Sequence, residues 1–161
     1  MTFDNGKTII RLRLRVFIAT LLMLVYVYLV YFGKHLHFPI LGIQEIHATL
    51  TLVAIYLLLA FLPMILKYKY IYFSDDGKNI IFRYYSVGLL SGKKSSVEIP
   101  KNEFLAYNLI KPFPGLVKSI RLHRLMGNKK ASYPPIYISS LSGSELDRII
   151  SSLDKYVKRE E

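Results

Sequence analysis

Two uncharged apolar runs constrain this chain more than any other feature. Val16 to Phe32 passes 17 residues without a charge, and Ala48 to Leu66 passes 19. At about 1.5 Å of rise per helical residue, each run approaches the ~30 Å of a bilayer's hydrocarbon core. Two helices that are apolar on every side need covering, and the rest of a 161-residue chain is too short to do it. The runs therefore predict two membrane-spanning helices rather than the core of a soluble domain. The first run is not read as a secretory signal, because Tyr31-Phe32-Gly33-Lys34 follows it in place of a small-residue cleavage site.

Basic residues predict the orientation. Arg11, Arg13 and Arg15 precede the first run, Lys67 and Lys69 follow the second, and the intervening loop holds only Lys34. Positive residues stay inside, so both termini are expected in the cytoplasm and the loop outside. The expected layout is a basic segment over 1–15, a transmembrane hairpin over 16–66 and a cytoplasmic domain over 67–161. The spans cover 16–32 and 48–66, with the outer loop at 33–47. The chain has no tryptophan, so tyrosine must supply any aromatic belt. Tyr28, Tyr31 and Phe32 suit the outer interface, and Tyr68, Tyr70 and Tyr72 lie just beyond the inner one. Pro63 falls near the end of the second span, where a kink costs least. The loop carries His35, His37 and His47 near Glu45, donor types that zinc accepts. Nothing in the spacing makes them converge, so no metal is assigned.

Beyond Tyr68 the pattern turns to short strands. Tyr68 to Phe73 and Asn79 to Tyr85 read as a hairpin around Ser74-Asp75-Asp76-Gly77-Lys78, with Gly77 supplying positive φ. The adjacent carboxylates Asp75 and Asp76 read as turn formers. Val97 to Ile99, Leu105 to Ile110, Val117 to His123 and Ile136 to Ile138 are further strands. Lys111-Pro112-Phe113-Pro114-Gly115 reads as a break, and Gly127-Asn128-Lys129-Lys130 as a loop tip. Ser142 and Glu145 form a capping box. Leu146, Ile149, Ile150, Leu153 and Val157 then recur at helical spacing, predicting an amphipathic helix over 143–158 that closes onto the sheet. Lys155, Lys158 and Arg159 fall where the last turn of that helix favours cations.

This order of elements resembles a family. Phe82-Arg83-Tyr84-Tyr85-Ser86-Val87-Gly88-Leu89-Leu90-Ser91-Gly92-Lys93-Lys94, followed by Val97-Glu98-Ile99-Pro100, is similar to the bacterial pleckstrin-homology-like (PH-like) membrane proteins. Tyr137-Ile138-Ser139 before a Ser-started helix fits too. The resemblance covers the whole chain in layout. It implies an N-terminal two-helix membrane hairpin, then a PH-like barrel of about six or seven antiparallel strands capped by the C-terminal helix. It also implies a bacterial cytoplasmic (inner) membrane. PH domains that grip inositol phosphates resemble one another in a basic first hairpin turn. Here that turn is Asp75-Asp76-Gly77-Lys78, which departs from the pattern.

No catalytic constellation is legible. There is no cysteine, no glycine-rich phosphate loop and no Gly-x-Ser-x-Gly. His123 stands beside Arg121 and Arg124 in a strand and reads as a surface residue. The spans offer only hydroxyls, such as Tyr26, Thr51 and Tyr56. The expectation is a non-enzymatic module without a cofactor, serving protein interaction or assembly at the membrane, either with a membrane-protein partner or as a homo-oligomer. The alternative is headgroup sensing, because residues 67–161 carry 17 basic against nine acidic residues. Arg11, Arg13, Arg15, Lys93, Lys94, Lys129 and Lys130 are the candidate lipid- or partner-facing residues. Nucleic acid is not expected, since no aromatic-basic signature accompanies the charge.

Overall fold

The protein is described by a computed structural model covering residues 1–33, 37–39, 42–87, 92–113, 116–127 and 129–157. Lys34, His35, Gly88-Leu89-Leu90-Ser91, Pro114-Gly115, Asn128 and Lys158-Arg159 lie outside the described residues. The chain divides into two compact units. A helical unit spans Ile10–Pro63. A globular unit combines Met1–Ile9 with Met64–Glu161.

The helical unit follows from the apolar runs. Helix α1 (Gly6–Val27) continues into a π-helical turn at Tyr28–Phe32. It therefore begins ten residues upstream of the first apolar run and carries the three arginines. Helix α2 (Glu45–Ile65) contains His47 at its start and Pro63 in its last turn. Both helices are long and apolar enough to cross a membrane, and their apolar side chains are mostly exposed. Hydroxyls join them. Thr20 Oγ1 lies 3.1 Å from Tyr56 Oη, and Thr49 Oγ1 lies 2.9 Å from the hydroxyls of both Tyr26 and Tyr31.

The globular unit holds two antiparallel four-stranded sheets and helix α3. The first sheet runs β1 (Thr2–Asp4), β2 (Lys69–Ser74), β3 (Asn79–Ser86), β4 (Ser95–Pro100). The second centres on β6 (Val117–Met126), flanked by β5 (Phe104–Phe113) on one side and by β7 (Lys129–Ser132) and β8 (Ile136–Tyr137) on the other. Alternation aims Ile71, Phe73, Ile80, Phe82, Val97 and Ile99 inward from the first sheet. Phe73 stands opposite Phe82, with ring centroids 4.8 Å apart. Phe104, Ile120, Leu122 and Ile136 meet them from the second sheet. Helix α3 (Gly143–Leu153) seals the core with Ile149 and Leu153. Its capping box forms as expected, with the Ser142 amide donating to Glu145 at 2.7 Å and the Glu145 amide to Ser142 Oγ at 3.4 Å.

Several expectations are corrected. The sheets do not close into a barrel: among the described residues no strand of one pairs with a strand of the other. Pro100 ends β4, and a 3₁₀ turn at Lys101–Glu103 redirects the chain into the second sheet. Among the described residues the strands number eight, not six or seven. The extra ones are β1, from the segment read as a basic tail, and β7, from the segment read as a loop tip. β5 runs through Pro112 to Phe113 instead of breaking at Lys111, because a register shift between Ile110 and Phe113 accommodates the proline. α3 stops at Leu153, so Lys155 lies past the helix and does not serve its dipole.

The N-terminal strand is locked by Asn5, which is 1% exposed. Its amide nitrogen donates to the Ile71 carbonyl at 3.2 Å, and its side-chain oxygen accepts from the Ile71 amide at 2.9 Å. Its side-chain nitrogen reaches the Lys69 carbonyl at 3.1 Å and Ser140 Oγ at 2.9 Å. Asp75 does more than form a turn. It is 6% exposed and accepts from Ser152 Oγ of α3 at 2.5 Å and from the Met1 ammonium. Burial pushes its carboxyl up, but these two bonds prevail and hold it below the usual range. Gly77 supplies the positive φ of the turn, at 77°.

Candidate functional site

The outward face of the first sheet carries a different chemistry from its core face. Tyr70 and Tyr72 of β2 alternate with buried Ile71 and Phe73, while Arg83 and Tyr85 of β3 share the parity opposite to buried Phe82. The register puts Tyr70 opposite Tyr85 and Tyr72 opposite Arg83. The Tyr70 and Tyr85 rings stack at 4.7 Å and 22°. The Arg83 guanidinium lies 5.9 Å from the Tyr72 centroid. With Tyr84, with Lys94 from the approach to β4, and with Ser95 and Ser96 at the start of β4, these residues line an open concavity of about 400 Å³. The lining holds two cations, four phenols and two serines, and no carboxylate.

The cations of the concavity are available. The nearest carboxylate to Arg83 is Glu98 at 3.8 Å, and both side chains are largely exposed. Such a pair contributes little. Lys94 is exposed and makes no ion pair among the described residues. Burial pushes the Tyr70 phenol up, helped by Asp4, Tyr85 and Tyr72, which keeps it a neutral donor. Asp4 itself accepts from the Gly6 amide at 2.7 Å.

A second cation–aromatic cluster adjoins Tyr84. The Lys69 ammonium lies 4.7 Å from the Tyr84 centroid and 5.4 Å from that of Tyr137. Burial lowers the pKa of Lys69, the nearby Tyr137 opposes this, and Lys67 adds to it. Lys67 lies 4.5 Å from the Tyr137 centroid and donates to Tyr137 Oη at 3.0 Å. Its backbone sits at φ 53°, a left-handed conformation that costs a lysine about 1–2 kcal/mol. The strain is tolerated where α2 ends and the chain must turn into β2.

These residues gather at one end of the globular unit, the end where the chain enters β2 at Lys69. The acidic β2–β3 turn is at the other end of the same hairpin. Lys93 and Lys94 belong to the first end, because Ser95 pairs with Tyr84. Lys129 and Lys130 do not. They pair with Met126 and Leu125, at the end of β6 away from Ser119, the residue that pairs with Tyr137. Arg11, Arg13 and Arg15 are exposed on α1; Arg11 and Arg15, four residues apart, share one face of the helix, and Arg13 lies on the opposite one. The basic set read from the sequence is thus divided, and only Lys94 of it enters the concavity.

The tyrosines, Arg83, Lys67 and Lys69 were not among the expected site residues. The alternation Lys69-Tyr70-Ile71-Tyr72-Phe73 was a usable signal, since it puts two phenols on the non-core face. His123 was expected at the surface and is instead 6% exposed, because β5 and β7 flank it on a central strand. Its Nδ1 pairs with Ser132 Oγ at 2.8 Å, and its Nε2 is buried without a partner among the described residues. Among the described residues no group of three metal-ligating side chains assembles. Compared with known proteins, the chain matches no family model, no curated protein and no solved structure.

Proposed function

We propose that this protein is a non-enzymatic membrane module. Its two apolar helices span the bilayer, and its globular unit rests at the cytoplasmic face with its cationic, tyrosine-rich end against anionic lipid headgroups. The observation that carries this is the pairing of β1 with β2. β1 precedes the first apolar helix and β2 follows the second, so a chain that crosses twice returns to the side it left. The cations flanking both helices support the cytoplasm as that side. The chain enters the globular unit from α2 beside Lys67, Lys69, Tyr70 and Tyr137. Each cation near an anionic leaflet contributes about 1 kcal/mol, and phenols suit the polar-apolar boundary. The PH-like reading is supported by the succession of antiparallel strands and one core-sealing C-terminal helix, with the two sheets left open to one another.

The test is extraction of the full-length chain with its surrounding lipid into polymer-bounded discs, followed by mass spectrometry of lipids and proteins. Anionic lipid should be enriched over the bulk membrane, less so at high salt and less so in a Lys67→Glu/Lys69→Glu variant. A preparation without anionic enrichment but with a stoichiometric second membrane protein would replace this reading with an assembly role.

A further inference from the structure

We propose that the concavity on β2, β3 and β4 is a discrete binding site for one phosphoglycerol-type headgroup, a phosphodiester bearing free hydroxyls. This rests on the lipid reading for the source of the ligand. Diffuse attraction needs only cations, whereas this surface is built more specifically. Arg83 and Lys94 stand at the concavity without a strong carboxylate partner and can share one phosphate, Arg83 as a planar fork and Lys94 as a point charge. The stacked pair Tyr70–Tyr85 makes a firm wall whose ring faces suit glycerol carbons. The phenols with Ser95 and Ser96 offer hydroxyls to a polyol. No carboxylate is among the lining residues, and the adjacent one, Glu98, is already engaged by Ser96 Oγ at 3.4 Å and Arg83 at 3.8 Å, which favours a singly charged headgroup over an amine-bearing one. About 400 Å³ is within the range of small-molecule sites. The register keeps the site at the end of the sheet where the chain enters β2, the strand that follows α2 in sequence.

The test uses the full-length protein in detergent, titrated with short-chain phosphatidylglycerol, short-chain phosphatidylcholine or free glycerol phosphate, with native mass spectrometry counting bound molecules. One saturable phosphatidylglycerol per chain is expected, with phosphatidylcholine at least tenfold weaker and glycerol phosphate competing only at higher concentration. Arg83→Gln/Lys94→Gln should weaken it by about tenfold or more, as two cations near a phosphate would. Tyr85→Ala should also weaken it, while circular dichroism stays native. Unchanged binding in both folded variants would overturn the site, even if salt-dependent enrichment of anionic lipid in the discs persists. Equal affinity for free glycerol phosphate would overturn the lipid as its source. Loss of anionic enrichment in the discs as well would remove the underlying reading along with the site.

Discussion

At the residue scale, the buried polar groups set the terms. Asn5 satisfies its side chain completely, and it ties the start of the chain to both β2 and Ser140. Asn5→Ala leaves buried partners without bonds and should cost about 3 kcal/mol, measured by equilibrium unfolding of the full-length protein in mild detergent. His123 gives a pH dependence. Burial lowers its pKa, and Lys130 and Arg121 act in the same direction. Ser132 faces the ring through Nδ1. With the folded value below the unfolded one of about 6.5, protons favour the unfolded state. Stability is therefore complete above about pH 6.5 and declines as pH falls from there toward the folded pKa. Melting curves at pH 7.5 and 5.5 should show this loss, and His123→Gln should reduce it. An identical loss in the variant would assign it to other groups.

At the element scale, α3 shows how local and tertiary terms differ in size. Its cap is local, so Ser142→Ala should cost about 1 kcal/mol. Its buried stripe is tertiary, and Leu153→Ala should cost about 2–5 kcal/mol by removing a side chain from the core. Denaturant titration of the two variants should preserve that order. Beyond the helix, Tyr107 Oη of β5 donates to Asp154 at 2.7 Å. Burial and this bond push its phenol up to about 12, so the link stays protonated through the physiological range. In the helical unit, hydroxyl pairs between α1 and α2 replace the close small-residue packing that the sequence lacks.

At the scale of the whole molecule, β1 makes the globular unit discontinuous in sequence, with the apolar hairpin inserted between its first and second strands. A topology prediction follows, and the absence of cysteine makes it clean to test. Lys7→Cys and Asp147→Cys, on exposed positions in the first turn of α1 and after α2, should resist a membrane-impermeant maleimide in intact cells and react after permeabilisation. Gln44→Cys, between the helices, should react in intact cells. Opposite labelling of the Lys7 and Asp147 variants would contradict β1–β2 pairing in the membrane.

Helix periodicity, charge asymmetry and capping are read from neighbouring residues, so the two apolar helices, the α3 cap and the main strands were legible in the sequence. The divided basic set was not, because whether Lys94 and Lys129 lie at the same end depends on strand register and not on their spacing. Nor was β1 legible: Thr2-Phe3-Asp4 has no strand signal of its own and is ordered by the edge of β2 and by Asn5. The same holds for the concavity. Alternation put Tyr70 and Tyr72 on one face, but only pairing with β3 brought Arg83 and Tyr85 beside them. Local interactions act over a few residues and are written in order along the chain, whereas the site and the discontinuous unit arise from contacts between segments more than 60 residues apart or across strands, where the folded core chooses the partners.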